Sequence, residues 1–305
     1  MHNRLLRLLP AAAIVGLAAY AQTVIFPAKF EIQARPSKKV FLWNVQSSKA
    51  TAYLLGSVHA ARSSLYPLDE RIEKAFDQSD TLVVEVNTAQ ASPAALVMQM
   101  TAKASYPQDD SLDKHVSKEL LDLTDSRLAK YGFSVAPFKQ FKPWFIATTL
   151  EAMELTALGI TAANGVDQHF LDRAKDKKRI LELESATEQL ELLDSFSEKE
   201  QETFLKYTLK DLDNTGKNTD EIMTAWRNGD EKKLDALLNE AVRSDKELRS
   251  LYRRLINDRN KKMADKIQEF LSTDHIYFVV VGAGHLVGET GLLRTLGKKY
   301  QVRQL

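Results

Sequence analysis

The chain has 305 residues, 44% of them apolar and 27% charged, which lies within the globular range and suits one large domain or two smaller ones. Its 42 basic and 41 acidic side chains leave a formal net charge of +1, so no global field draws in a polyanion and nucleic acid is not an expected partner. With no cysteine, disulfides, thiolate metal sites and thiol nucleophiles are excluded.

Arg4 and Arg7 precede an uncharged, mostly apolar stretch from Leu8 to Ala28. This is the pattern of an export signal, and Ala19-Tyr20-Ala21 offers a signal peptidase small residues at both positions it reads, with cleavage after Ala21. The same stretch is long enough to span about 30 Å of hydrocarbon as a helix, so an uncleaved anchor is the alternative. Residues 1–28 are therefore read as a signal peptide or N-terminal membrane anchor. The expected location is extracytoplasmic, periplasmic or secreted, free or held at the membrane.

Lys39 to Val45 and Ala50 to Leu55 read as two strands of a hairpin around the polar Gln46-Ser47-Ser48-Lys49. Pro67 and Asp69 open a helix through Phe76, and Thr81 to Val86 is a nearly continuous apolar run, the pattern of a strand covered on both faces. Helices are expected from Ser92-Pro93 through Ala104, from Ser117 to Tyr131 before Gly132, and from Pro143 to Leu158 before Gly159. Ile180 to Leu183 reads as a strand. Ser197 to Glu200 is a capping box, and Asp245 to Leu271 has the period of one long helix. Ile276 to Val281 is a second fully apolar strand. No internal repeat or low-complexity linker is present, so residues 29–305 are read as one α/β domain around a central mixed β-sheet, with helical insertions at about 92–164 and 186–271.

Two strands end in the same way. Leu55 runs into Gly56-Ser57-Val58-His59, and Val281 runs into Gly282-Ala283-Gly284-His285. In open α/β sheets the ligand crevice lies beyond the carboxyl ends of the strands, which is where both Gly-x-x-His loops would deliver a histidine. Glu85 sits near the carboxyl end of the third buried run, where a carboxylate needs a cation or a donor. Two imidazoles and a carboxylate can hold a divalent ion and leave a position open for water or substrate. Such a metal ion, Mn, Co or Zn, would support hydrolysis; the alternative from the pattern alone is that the strand-end histidines are hydrogen-bonded structural residues.

The pieces Leu54-Leu55-Gly56-Ser57-Val58-His59, Leu82 to Val86, Gly165-Val166-Asp167, Leu183-Glu184, Gln189-Leu190, Asp258-Arg259-Asn260 and Val281 to Gly288 occur in an order and spacing that resembles the TraB/PrgY/GumN family. That family also takes in the TIKI metalloproteases and is distantly similar to erythromycin esterase-like and ChaN-like proteins. The resemblance implies a TIKI/erythromycin esterase-like fold, a metal at His59, Glu85 and His285, and a peptide or protein substrate. It further implies that Asp167, Glu184, Arg259 and Asn260 belong to the site beside Glu85, orienting ligands or substrate or acting as ligands themselves; Arg259 could take a substrate carboxylate or a developing oxyanion. The PrgY branch raises a non-catalytic peptide-binding or signal shut-off role as the alternative, and the ChaN-like similarity a haem-binding one.

Taken without the resemblance, Asp167 reads as a helix cap, and Arg259-Asn260 as part of the solvated face of a basic helix among Arg253, Arg254, Lys261 and Lys262. His115 and His169 fall in helical surroundings and read as surface or structural residues, and His275 stands at the wrong end of its strand. Gly282-x-Gly284 followed by Gly288 misses the dinucleotide-binding spacing by one residue.

Overall fold

The polar turn at Ser47 folds β1 (Leu42–Gln46) back on β2 (Thr51–Ser57), pairing Leu42 with Leu55 and Gln46 with Thr51. The Ser47 hydroxyl accepts the backbone N–H groups of Lys49 and Ala50 and so fixes the turn. This computed structural model describes residues 39–88 and 92–305. The apolar stretch from Leu8 to Ala28 and the cleavage position after Ala21 lie outside the described residues. Among the described residues no helix is long and apolar enough to cross a membrane.

Beyond β2, Asp69 caps α1 (Glu70–Gln78) by accepting the Arg71 N–H, and β3 (Thr81–Val84) follows with every residue buried. The strand stops two residues short of the expected Val86. Then come α2 (Pro93–Ala104), α3 (Lys118–Ala129), α4 (Pro143–Ala157) and α5 (Val166–Ala174). Gly132 and Gly159 follow α3 and α4 with φ of 80° and 70°, the left-handed geometry that suits glycine after a helix. Ser92 makes no capping bond with its side chain, so α2 rests on Pro93 at its first turn. After β4 (Arg179–Glu182), α6 (Ala186–Asp194) and α7 (Glu198–Asp211) each open on a complete capping box, Ser185 with Glu188 and Ser197 with Glu200.

The rest of the helical block is α8 (Thr215–Arg227), α9 (Glu231–Ser244), α10 (Lys246–Tyr252) and α11 (Asp258–Phe270). The long helix expected from Asp245 to Leu271 is present, with a π-helical turn within it at Arg253–Asn257, where the Leu255 carbonyl accepts the Arg259 guanidinium. β5 (Ile276–Gly282), the short helices α12 (Ala283–Leu286) and α13 (Leu292–Leu296), and β6 (Gln301–Gln304) complete the chain.

The six strands form one mixed sheet in the order β4-β3-β5-β2-β1-β6. β4, β3, β5 and β2 run parallel, while β1 is antiparallel to both of its neighbours. The four parallel strands therefore end at one edge. Their side chains fill a core around the sheet that includes Phe41, Leu54, Val83, Phe170, Phe278 and Val280. A second core, among them Trp144, Leu150, Phe204, Leu209 and Leu248, holds the helices together. The π turn gives Leu255 and Ile256 to the helical core, and α11 gives Met263 and Ile267 to the sheet core, so Arg259 and Asn260 fall between the two in the chain.

Gly56 shows how tightly β2 is packed. A Cβ there would lie 2.5 Å from the Phe41 ring and 3.1 Å from Leu286 Cδ1. Phe41 is buried and set edge-on against Trp43, so the ring has little room to yield. Gly56→Ala should lower the unfolding free energy by about 1–3 kcal/mol, read from urea unfolding. An unchanged midpoint would show that the neighbourhood is looser than this packing implies.

Candidate functional site

Each parallel strand delivers one polar side chain at the same edge of the sheet. His59 lies two residues beyond β2, Glu85 directly after β3, Glu184 two residues beyond β4, and His285 in α12, directly after β5. His285 thus sits in a helical turn rather than an open loop. All are withdrawn from water, with relative exposures of 8% for His59, 4% for Glu85, 7% for Glu184 and 0% for His285. Burial on this scale makes the pairing of every polar atom an energetic matter.

The two rings are held by their Nδ1 atoms. His59 Nδ1 lies 2.9 Å from Asp167 Oδ2, and the Ser57 hydroxyl donates to the same oxygen at 2.6 Å. Asp167 stands in the first turn of α5, whose N-cap is Gly165, so its carboxylate serves the histidine rather than the helix end. His285 Nδ1 lies 2.6 Å from Asn260 Oδ1, and Asn260 Nδ2 donates to the Thr290 carbonyl at 2.9 Å, which turns the amide oxygen toward the ring. A carboxylate and an amide oxygen only accept, so both Nδ1 atoms carry hydrogen and the neutral rings keep their lone pairs on Nε2.

Those lone pairs converge on Glu85. Its Oε1 lies 3.9 Å from His59 Nε2 and 3.7 Å from His285 Nε2, and neither buried nitrogen has a hydrogen-bond partner. Oε1 accepts the Gly282 N–H at 2.5 Å. A Cβ on Gly282 would come within 2.7 Å of His59 Nε2 and 3.1 Å of Glu85 Oε1, so glycine keeps open the space between ring and carboxylate. Among the described residues no three or more His, Asp or Glu side chains stand close enough together, as placed, to hold a metal ion. The three atoms stand apart at separations that no direct hydrogen bond bridges.

Arg259 ties this centre to Glu184. Its Nε donates to both Glu184 oxygens at 3.0 and 2.9 Å, and its Nη2 donates to Glu184 Oε2 at 2.6 Å and to Glu85 Oε2 at 2.9 Å. With Nη1 on the Leu255 carbonyl, the guanidinium is committed to its own chain. A cavity of about 120 Å³ opens on Arg259 and Glu184, with Glu188, Gln189 and Leu192 of α6 on one side and Arg254, Asp258 and Lys262 on the other.

Three carboxylates, Glu85, Asp167 and Glu184, against one guanidinium leave a formal charge of −2 when both imidazoles are neutral. Burial alone would discharge His59, but Asp167, by charge and hydrogen bond, and then Glu85 outweigh it and raise its pKa to about 9. Burial holds His285 at about 3 against the pull of Glu85. Burial also opposes ionisation of Glu85, yet the charges of His285, Arg259 and His59 and the Gly282 N–H bring it to about 2. His285 is neutral near pH 7, so there the last three do this work.

The structure brings together all seven residues singled out in the sequence: His59, Glu85, Asp167, Glu184, Arg259, Asn260 and His285. Arg259 and Asn260, which composition alone would set on a solvated face, are buried. The other histidines lie elsewhere: His115 between Asp110 and Glu198, His169 against Tyr66, and His275 beside Asp80. Ser57 was not singled out. Its position two residues before His59, the spacing that puts alternate strand residues on one face, was the available signal.

Compared with known proteins, the chain matches the TraB/PrgY/gumN family over residues 41–304. It is 29% identical over 245 residues to the Uncharacterized protein YbaP of Escherichia coli (strain K12), covering 80% of this chain and 87% of that one. Against the Uncharacterized protein YbaP of Shigella flexneri it is 28% identical over 246 residues, with the same coverage. No solved structure matches it.

The electrostatics set a pH profile for the metal-free protein. His59 binds its proton more tightly when folded, so its contribution is complete below its ordinary 6.5 and is lost as pH rises through about 9. His285, depressed from 6.5 to about 3, works in the opposite sense: the unfolded chain takes up its proton first, and stability falls as pH drops below 6.5. Glu85 adds to the acid limb, its contribution present above 4.5 and lost as pH falls through about 2. Denaturant midpoints of chelator-treated protein should therefore decline on both sides of about pH 6.5. His59→Gln should flatten the alkaline limb, and an alkaline limb of unchanged slope in that variant would contradict the assignment.

Proposed function

The chain belongs to the TraB/PrgY/gumN family, and from that premise we propose that it is a metal-dependent hydrolase, peptidase-like, with His59, Glu85 and His285 as the ligands of one divalent cation. The observation that carries this reading is the pair of buried Nε2 atoms, on His59 and His285, that face one Glu85 oxygen without a hydrogen-bond partner. Electron-pair donors aimed at one point in a dry interior call for a cation. The space Gly282 leaves free suits a cation, and once His59 gives up the proton it holds near pH 7, as ligation requires, the formal charge of −2 suits a divalent one.

When bound, such a cation lowers the pKa of water toward ~7 and polarises a carbonyl oxygen. The residues of the chain prepare the position. Asp167 and Asn260 fix the two rings in the tautomer that ligation needs, and Arg259 holds Glu85 ionised and spans it to Glu184. The cavity beside Arg259 and Glu184 is not lined by His59, Glu85 or His285, and the peptide substrate of this reading rests on the family resemblance. A TIKI/erythromycin esterase-like arrangement of the two Gly-x-x-His segments, and an extracytoplasmic location directed by residues 8–28, belong to the same reading.

Protein purified without chelators should contain about one equivalent of Mn, Co or Zn and should cleave peptides with it. His59→Ala, Glu85→Ala and His285→Ala should lose the metal, with activity falling by more than the roughly 10–100-fold expected for loss of an outer partner. Full metal content in both histidine variants would refute the centre. Metal content that depends on the three residues, with peptides recovered intact in stoichiometric complex, would replace hydrolysis by capture.

A further inference from the structure

Each ring-orienting group is itself anchored. Asn260 has the Thr290 carbonyl, and Asp167 has the Ser57 hydroxyl. The second anchor matters more, because the Asp167 side chain is 21% exposed while that of His59 is 5% exposed. Water therefore competes for Asp167, and a carboxylate in that position can turn away from the ring. The wholly buried Ser57 opposes this with a short charge-assisted bond to the oxygen that His59 uses.

The backbone keeps the three residues in register. Val166 N–H donates to the Val58 carbonyl at 3.0 Å, and Gly165 comes so close that a Cβ there would lie 2.3 Å from the His59 carbonyl oxygen. The start of α5 is thus pressed onto the segment carrying Ser57 and His59. On the other side Ser57 lies in register with Gly282, the residue that keeps the space between His59 and Glu85 free.

We propose that Ser57 is a positioning residue for the metal centre. By holding Asp167 on Nδ1 it keeps that hydrogen in place and directs the Nε2 lone pair of His59 at the ligand position. This inference rests on the reading of His59 as a ligand.

Zinc affinity of the full chain, measured by calorimetry, tests it. S57A should bind about tenfold more weakly, and S57T, which keeps the hydroxyl, should stay within about twofold of wild type. If Ser57 acts only through Asp167, S57A should weaken binding no further in a D167A background. The visible spectrum of the cobalt-loaded protein should change in S57A and be restored in S57T. Unchanged affinity in S57A, even with a lowered melting temperature of the metal-free form, would give Ser57 a packing role and overturn the proposal. Additive losses in S57A and D167A would overturn it as well. A wild type that takes up no zinc, cobalt or manganese would bring down the ligand reading of His59, and this inference with it.

Discussion

Two imidazole nitrogens are made to face one carboxylate oxygen in a place that water hardly reaches, and much of the architecture follows from that constraint. Each ring could relieve the conflict by turning its Nδ1 inward, but Asp167 and Asn260 prevent it. Neither Nε2 makes a hydrogen bond with any described residue. What remains is a site that favours positive charge, as the raised pKa of His59 reflects.

The sheet explains how such an arrangement can be built from distant segments. Four neighbouring strands run the same way, so four chain segments leave the sheet at one edge within reach of one another. Arg259 arrives from the helical side and lies across two of the resulting carboxylates. Without it, Glu85 and Glu184 would repel each other in a low-dielectric environment. Its neighbour Asn260 serves the opposite half of the centre, and both follow the π turn set within the helix.

The sequence revealed those parts of this design that leave a local mark. The two Gly-x-x-His segments stood out because each follows an apolar strand, and Glu85 because a carboxylate closes a buried run. Glu184, Asp167, Arg259 and Asn260 carry no such mark. Asp167 looks like any acid in a first helical turn, and Arg259 is surrounded by basic residues, so only family resemblance singled them out. Ser57 stayed hidden because its partner comes from α5, more than a hundred residues on. The π turn within the helix between Asp245 and Leu271 was equally invisible, since its apolar period reads as one regular helix.

The pairing of β2 with β5 joins Thr51 to Ile276, and β6 closes the sheet against β1 at the opposite end of the chain. No N-terminal portion of the chain that stops short of His285, the last of the seven residues in sequence, can therefore assemble the centre. Contacts of such long sequence separation carry a large loop-closure cost and slow folding.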